Sequence, residues 1–302
     1  MKRLKKYSHD HSISGTLFDV FNHLFIIAFC ITILFPIWDM LVKSLSDIKD
    51  ISFLSLNLWP KNITFESYKY VLSDSRIFVA FGNSVARTVL GTVYHLIVCS
   101  LAAFSLTRTG MPFLKVITAF FLVTRFFSGG MIPTYLNMKN LGLLDNFLVY
   151  ILPTGFSMYN TIIIRNYFFS IDKSMEESAT IDGASMLQIM IRIILPLSMP
   201  VLATVGLWHM VSQWNSWFDN MVYCRSDSLL TLQYMLKRIT NDLQAMNDAT
   251  AQYADLMDQN TRYTSDTVIA CTTFVTILPI ICVYPFLQRY FVKGIMVGAV
   301  KG

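Results

Sequence analysis

The sequence predicts an all-α, polytopic membrane protein with six transmembrane helices, on three observations. The 302 residues are 54% hydrophobic, with a mean hydropathy of +0.50. Charged residues make up only 14%, against about 25% in soluble globular domains. A soluble chain needs that polar cover, whereas a chain solvated by lipid does not. The charges that remain are also spaced so that long uncharged stretches lie between them.

A helix needs roughly 20 residues to cross about 30 Å of hydrocarbon. Asp19 and Asp39 enclose 19 uncharged residues, Arg87 and Arg108 enclose 20, and Asp145 and Arg165 enclose 19. Arg192 and Asp219 enclose 26, and Asp266 and Arg289 enclose 22. One further stretch, 113–136, is apolar at both ends and carries Arg125 in its middle. The predicted helices run at about 18–42, 79–106, 113–136, 141–168, 197–222 and 266–291.

Four of the first six residues, MKRLKK, are basic, which places the N-terminus in the cytoplasm. Six spans return the C-terminus to the same side. The predicted layout is a cytoplasmic segment 1–17, a first transmembrane helix 18–42, an extracellular segment 43–78, a five-helix core 79–291 and a cytoplasmic tail 292–302. Within the core, the loop 169–196 is cytoplasmic and the loop 223–265 extracellular. The outer loop contains LLTLQYMLKRI (229–239), whose Leu229, Leu232, Met235, Leu236 and Ile239 fall at helical spacing and predict a surface helix. The first apolar run ends in FPIWDM rather than in small residues, which argues against a cleaved signal peptide.

Several function classes are excluded. A net charge of +5 is too modest for a nucleic-acid binder. Cys30, Cys99, Cys224, Cys271 and Cys282 show no metal spacing and read as buried hydrophobes. The five histidines form neither an HExxH motif nor a triad-like group, so no catalytic residue and no metal site is expected. No G-x-x-x-x-G-K-[ST] motif is present, and the chain binds no ATP in the P-loop manner. Any energy must come from elsewhere.

One stretch does not read as membrane, and serves either as an elaborate tether between spans or as a docking loop for a partner: MEESATIDGASMLQIMIRIILPLSMP (175–200). Ser174 and Glu177 have capping-box spacing, which predicts a helix from about Met175. Glu177, Ser178 and Ala179 set a carboxylate beside small side chains that let another backbone approach. Gly183 suits a helix break. Leu187, Met190, Ile191, Ile194 and Leu195 then fall on one helical face, and Pro196 ends or kinks the second helix. A 28-residue connection is long for a plain tether. An apolar helix face in the cytoplasm calls for a docking partner.

ESATIDGASMLQIMIRIILP resembles the EAA---G---------I-LP signature of permease subunits in ABC importers. Glu177, Ala179, Gly183, Ile193, Leu195 and Pro196 match, Asp182 and Ala184 complete a common DGA, and Ser178 replaces the second Ala. WPKNITFESYKYVL (59–72), WNSWF (214–218) and KGIMVGAVKG (293–302) are similar to the G-type permease of maltose-like carbohydrate importers. GGMIPTYL (129–136) is similar to a branch associated with oligosaccharides or polysaccharide fragments.

The resemblance implies a type I ABC importer permease fold with 79–291 as its core, in a bacterial plasma membrane. It implies three kinds of protein partner: a second six-helix permease, a cytoplasmic P-loop ATPase dimer that carries ATP and Mg, and an extracellular solute-binding protein. Glu177, Ser178, Ala179, Asp182, Gly183, Ala184 and Leu187 would form the coupling helix on the ATPase. Gly294, Gly298 and Gly302 would lie in a tail that enters the ATPase dimer. This chain would bind no cofactor and catalyse no reaction.

Within the membrane, Arg87 and Arg125 are costly charges expected to face the transport path or the companion subunit, unless they snorkel or are satisfied within the chain. Asp39 and Asp219 are candidate partners for Arg87. QWNSWFDN (213–220) offers aromatic faces and polar groups suited to sugars, so Trp214, Asn215, Trp217 and Asp219 are candidate substrate-path residues. For Trp217 an interfacial aromatic belt is the competing role. A permease for a non-sugar solute and an ion-driven secondary transporter are the rival readings. The second predicts inverted repeats and midplane ionisable pairs that the sequence does not display.

Overall fold

The computed structural model describes residues 13–47, 58–108, 110–127, 129–252, 267–282 and 285. Every regular element among them is helical, with a single isolated bridge between Ser46 and Ile63. The chain divides into two units, residues 1–71 with 246–274 and residues 72–245 with 275–302.

The first unit is dominated by α1 (Ile13–Leu45), three residues or more longer at each end than the predicted span. Its apolar residues point in every direction, and only 6% of its most hydrophobic window is buried within the chain. A helix apolar all round needs lipid or another subunit as its surroundings. At its end, Asp39 pairs with Lys43 at 2.6 Å, and Trp38 donates its indole N–H to the Leu58 carbonyl at 2.8 Å. A short helix α2 (Glu66–Ser73) follows.

The second unit is built on α3 (Arg76–Ser105), close to the predicted span 79–106. One face of α3 is exposed and apolar. The other buries Ser84, Arg87, Thr88, Thr92, His95 and Cys99 against α6 (Met158–Phe169) and α10 (Met199–Asn215). Glycines allow the close crossing: a Cβ on Gly91 would sit 3.1 Å from Gln213 Nε2, and one on Gly206 would sit 3.2 Å from Leu96 Cδ1. Small residues at helix contacts do the same in membranes generally. Cys99, Phe104, Ile164, Phe168, Ile189, Met190, Ile194 and Val205 form the core that carries the loop 169–196.

Several expectations change. Residues 113–136 form not one helix but α4 (Leu114–Phe126) and α5 (Met131–Asn140), bent by 117°. Gly130, at φ +87° and ψ 179°, takes an extended positive-φ conformation open to glycine just before α5. Residues 141–168 contain a 3-10 turn at Phe147–Tyr150 and then α6, separated by Pro153 and Gly155 and capped by Ser157. The fifth span breaks after Asn215, and α11 (Phe218–Tyr223) follows. Among the described residues two helices are long and apolar enough to cross a membrane, or four if each bent pair counts as one, so the described helices do not establish six spans. The helix predicted at 229–239 exists but begins at Leu232, as α12 (Leu232–Gln252), with Leu232 and Met235 buried. An apolar helix α13 (Thr267–Cys282) lies within the last predicted span.

Candidate functional site

The stretch 173–189 is an elbow of two short helices. The first, α7 (Lys173–Ile181), is capped by Asp172, whose carboxylate accepts the Ser174 N–H at 3.0 Å. The predicted Ser174–Glu177 box is thus displaced: an aspartate was available two residues earlier, and its charge suits the positive end of the helix. Gly183, at φ +79°, ends α7. Its N–H reaches the Thr180 carbonyl at 3.0 Å, and the Ala184 N–H reaches Ala179 at 2.9 Å. Those two bonds form a Schellman closure, which needs a residue that tolerates positive φ.

Ser185 then starts α8 (Met186–Ile189) with a true capping box. Gln188 Oε1 accepts the Ser185 N–H at 2.8 Å, while Ser185 Oγ accepts the Gln188 N–H at 3.4 Å. The helix widens into a π turn at Met190–Ile194, closed by the Leu195 N–H on the Met190 carbonyl. Ile189 and Ile194, five apart, are both buried as that turn requires, together with Met190. The predicted single apolar face is therefore split: Leu187 and Ile191 point outward. After α9 (Leu195–Leu197) the chain bends by 80° into α10. Neither Pro196 nor Pro200 can donate a hydrogen bond across that bend.

The outer surface of the elbow presents Glu177, Ser178, Asp182 and Gly183 beside exposed Met175, Met186 and Leu187, with Ile181 86% exposed. Ala179 and Ala184 turn the other way and pack on the core, so their small size serves the seat of the elbow and not its outer face. Arg108, just beyond α3, grips Glu176 of α7 with two bonds of 2.6 and 3.2 Å, and lies 4.0 Å from the Phe104 ring centre. A groove of about 720 Å³ opens there, lined by Phe168, Phe169, Lys173 and Met186 among others.

Deeper in the unit, Arg87 is 1% exposed and pairs with Asp219. Its Nε and Nη2 donate to Gln213 Oε1 at 3.1 and 2.9 Å, and Nη1 donates to the Ser216 carbonyl and to Asp219 Oδ1 at 3.3 and 3.2 Å. Tyr150 covers its face at 4.4 Å. Arg87 is thus satisfied within the chain, and of the two candidate carboxylates it takes Asp219. It also borders a polar cavity of about 340 Å³ with His95, His209 and Asn160.

The remaining candidates scatter. Trp214 is buried, donates to the Thr276 carbonyl at 3.1 Å and lines a separate apolar groove of about 480 Å³. Asn215 is exposed, its side chain held by Val211 and by Gln233 of α12. Trp217 lies under Lys237 at 5.8 Å. Arg125 is exposed in the last turn of α4. Gly294, Gly298 and Gly302 lie outside the described residues.

Sequence reasoning missed His95, His209, Gln213 and the Arg108–Glu176 pair. His95 and His209 stack with ring centres 3.9 Å apart and planes 8° from parallel. A signal existed: Arg87, Gly91, His95 and Cys99 recur every fourth residue, as do His209 and Gln213, giving polar stripes on two apolar helices.

Residues 77–297 match the family model described as binding-protein-dependent transport system inner membrane component. The chain is 37% identical over 291 residues to Protein LplC of Bacillus subtilis (strain 168), covering 96% of each. It is 32% identical to the polygalacturonan/rhamnogalacturonan transport system permease protein YtcP of the same organism, covering 96% of this chain and 100% of the relative. Among solved structures, a chain of a bacterial ABC transporter involved in the import of the acidic polysaccharide alginate matches with a TM-score of 0.82. That match has 33% identity and covers 93% of this chain and 99% of the other.

Proposed function

Because the chain belongs to the family of inner membrane components of binding-protein-dependent transport systems, we propose that it is one of two permease subunits of a carbohydrate ABC importer. Its substrate is an oligosaccharide or polysaccharide fragment, as the names of its relatives suggest. The observation that carries the coupling role is the elbow at Gly183. Its outer surface is exposed and partly apolar, while its inner side is packed into the helices that lead across the membrane.

In this reading a cytoplasmic ATPase dimer seats on the outer surface of α7 and α8. ATP and Mg act there, not on this chain. Closure of the dimer displaces the elbow, and two connections carry the displacement inward. One runs through the π turn and α9 into α10, and the other through Glu176 and Arg108 to the end of α3. A solute-binding protein delivers the sugar on the extracellular side, and rocking of the helices alternates access. The chain resides in the bacterial plasma membrane with both ends in the cytoplasm.

Co-purification of the tagged chain from its native membrane in mild detergent tests this. The expected result is recovery of a second permease and a P-loop ATPase, with ATP hydrolysis stimulated by a sugar-loaded binding protein. Recovery of the chain alone, still moving solute on an ion gradient, would refute it.

A further inference from the structure

Helix α1 is longer than a membrane is thick. Its 33 residues rise about 50 Å, against roughly 30 Å of hydrocarbon. Its uncharged stretch is a closer match: the 19 residues between Asp19 and Asp39 span about 28 Å. That stretch ends on Trp38. The last seven residues of the helix, 39–45, project about 10 Å beyond it and carry the Asp39–Lys43 pair.

The chain then doubles back along the projecting part, all within the first unit. The Asp47 N–H bonds the Lys61 and Asn62 carbonyls at 3.3 and 3.2 Å, and the Thr64 N–H bonds the Leu45 carbonyl at 2.9 Å. Ser46 bridges Ile63 in antiparallel fashion, and the Ser44 and Tyr68 hydroxyls are 2.8 Å apart. Followed backwards from Thr64, the segment runs down α1 until the Leu58 carbonyl accepts the Trp38 indole N–H at 2.8 Å. Trp59 is thereby set edge-on against Trp38, with ring centres 5.8 Å apart and planes at 89°.

The two rings stand together at the level where the uncharged stretch ends. Trp38 is 40% exposed, Trp59 73% and Leu58 56%. The Trp59 N–H bonds none of the described residues. Lys61, exposed as well, lies beyond the end of α1 next to Asp47. Water around this corner would leave Trp59 and Leu58 as unburied apolar surface, and hydrocarbon around it would leave the Trp59 N–H without a partner. An indole, apolar in body and polar at one edge, satisfies both needs only where hydrocarbon meets water.

We propose that the Trp38–Trp59 pair is a phospholipid anchor, fixed at the headgroup boundary of one leaflet. Leu58 and the Trp59 ring insert among the upper acyl carbons, the Trp59 N–H donates to a lipid ester or phosphate oxygen, and Lys61 faces the phosphates. In the orientation given above, the leaflet is the extracellular one. The anchor decides which part of an over-long helix lies in the membrane, and it leaves the Asp39–Lys43 pair outside the hydrocarbon.

The test labels the full-length chain with fluorotryptophan and places it, with the partners that co-purify, in phosphatidylglycerol nanodiscs. Loss of one fluorine resonance in Trp38→Phe and of another in Trp59→Phe assigns the pair. Trp59 is exposed, so its replacement leaves the packing intact. A spin label on the upper acyl carbons should abolish both resonances, whereas one at the acyl methyl end, or a water-soluble gadolinium chelate, should leave them visible. Loss of the Trp59 resonance to the chelate would put the ring in water, and loss to the methyl-end label would put it at the bilayer centre. Either result would overturn the anchor. So would survival of the Trp59 resonance under all three, since a protein partner would then cover the ring. These readouts do not depend on which solute is carried, so their failure leaves the importer reading standing.

Discussion

Arg108 and Glu176, 68 positions apart, are joined by two hydrogen bonds of 2.6 and 3.2 Å. Both side chains are partly exposed, and such pairs contribute roughly 0.2–1 kcal/mol to stability. The pair matters more for where it sits, since it ties α7 directly to the end of α3. Glu176→Gln should leave expression and assembly intact and lower the amount transported per ATP hydrolysed. Exchanging the two residues (Arg108→Glu with Glu176→Arg) should restore part of the loss. Parallel uptake and hydrolysis assays in vesicles would decide this, and full coupling in Glu176→Gln would remove the pair from the transmission path.

Gly183→Ala strains the φ of +79° without any clash, because nothing lies within 4 Å of the added Cβ. The cost should be about 1 kcal/mol. Gly183→Pro cannot reach that φ and also loses the N–H that bonds Thr180. The proline variant should insert normally yet lose ATPase-dependent uptake, whereas Gly183→Asn should keep most of it. Normal uptake by Gly183→Pro would speak against the coupling role.

Asp219→Ala leaves the buried guanidinium of Arg87 without its counter-charge. Breaking a buried pair in this way costs about 3–5 kcal/mol. Arg87→Leu leaves a carboxylate that is still 17% exposed and bonded by Ser216 and the Asn220 N–H. Thermal melting of detergent-purified protein should therefore show Asp219→Ala as the less stable of the two. The reverse order would mean that the cation finds other partners.

Arg125 is exposed at the end of α4, after a run, 116–124, that carries no charge. A charge in such a setting faces water, a path or another subunit. Arg125→Leu should reduce either recovery of the companion permease or the rate of uptake. If neither quantity moves, the residue has no role in assembly or transport.

Much of this was legible from residues alone. The end of α3 near Arg108 followed from the uncharged run after Arg87, and the break at Gly183 from the intolerance of other residues for positive φ. The outer helix followed from Leu232, Met235, Leu236 and Ile239. What failed has physical causes. Asp172 and Ser174 are both good caps, and local pattern does not decide between them. The π turn at Met190–Ile194 changes which residues share a face, and a period of 3.6 cannot anticipate it. Residues 146–157 are uncharged like a span, but their backbone turns at Pro153 and Gly155. His95 and His209 are 114 positions apart, and only the glycine-permitted crossing of α3 and α10 makes them neighbours.

The Schellman closure at Gly183 has one more consequence. The angle of the elbow is set by backbone bonds from Gly183 and Ala184, by the Ser185–Gln188 cap, and by inward-facing Ala179 and Ala184. None of these involves Met175, Ile181, Met186 or Leu187, which form the outward surface. Shape and address are therefore written in different atoms. Under the coupling role proposed above, drift in the outer side chains would retune which motor the subunit accepts while the lever that transmits its stroke keeps the same geometry.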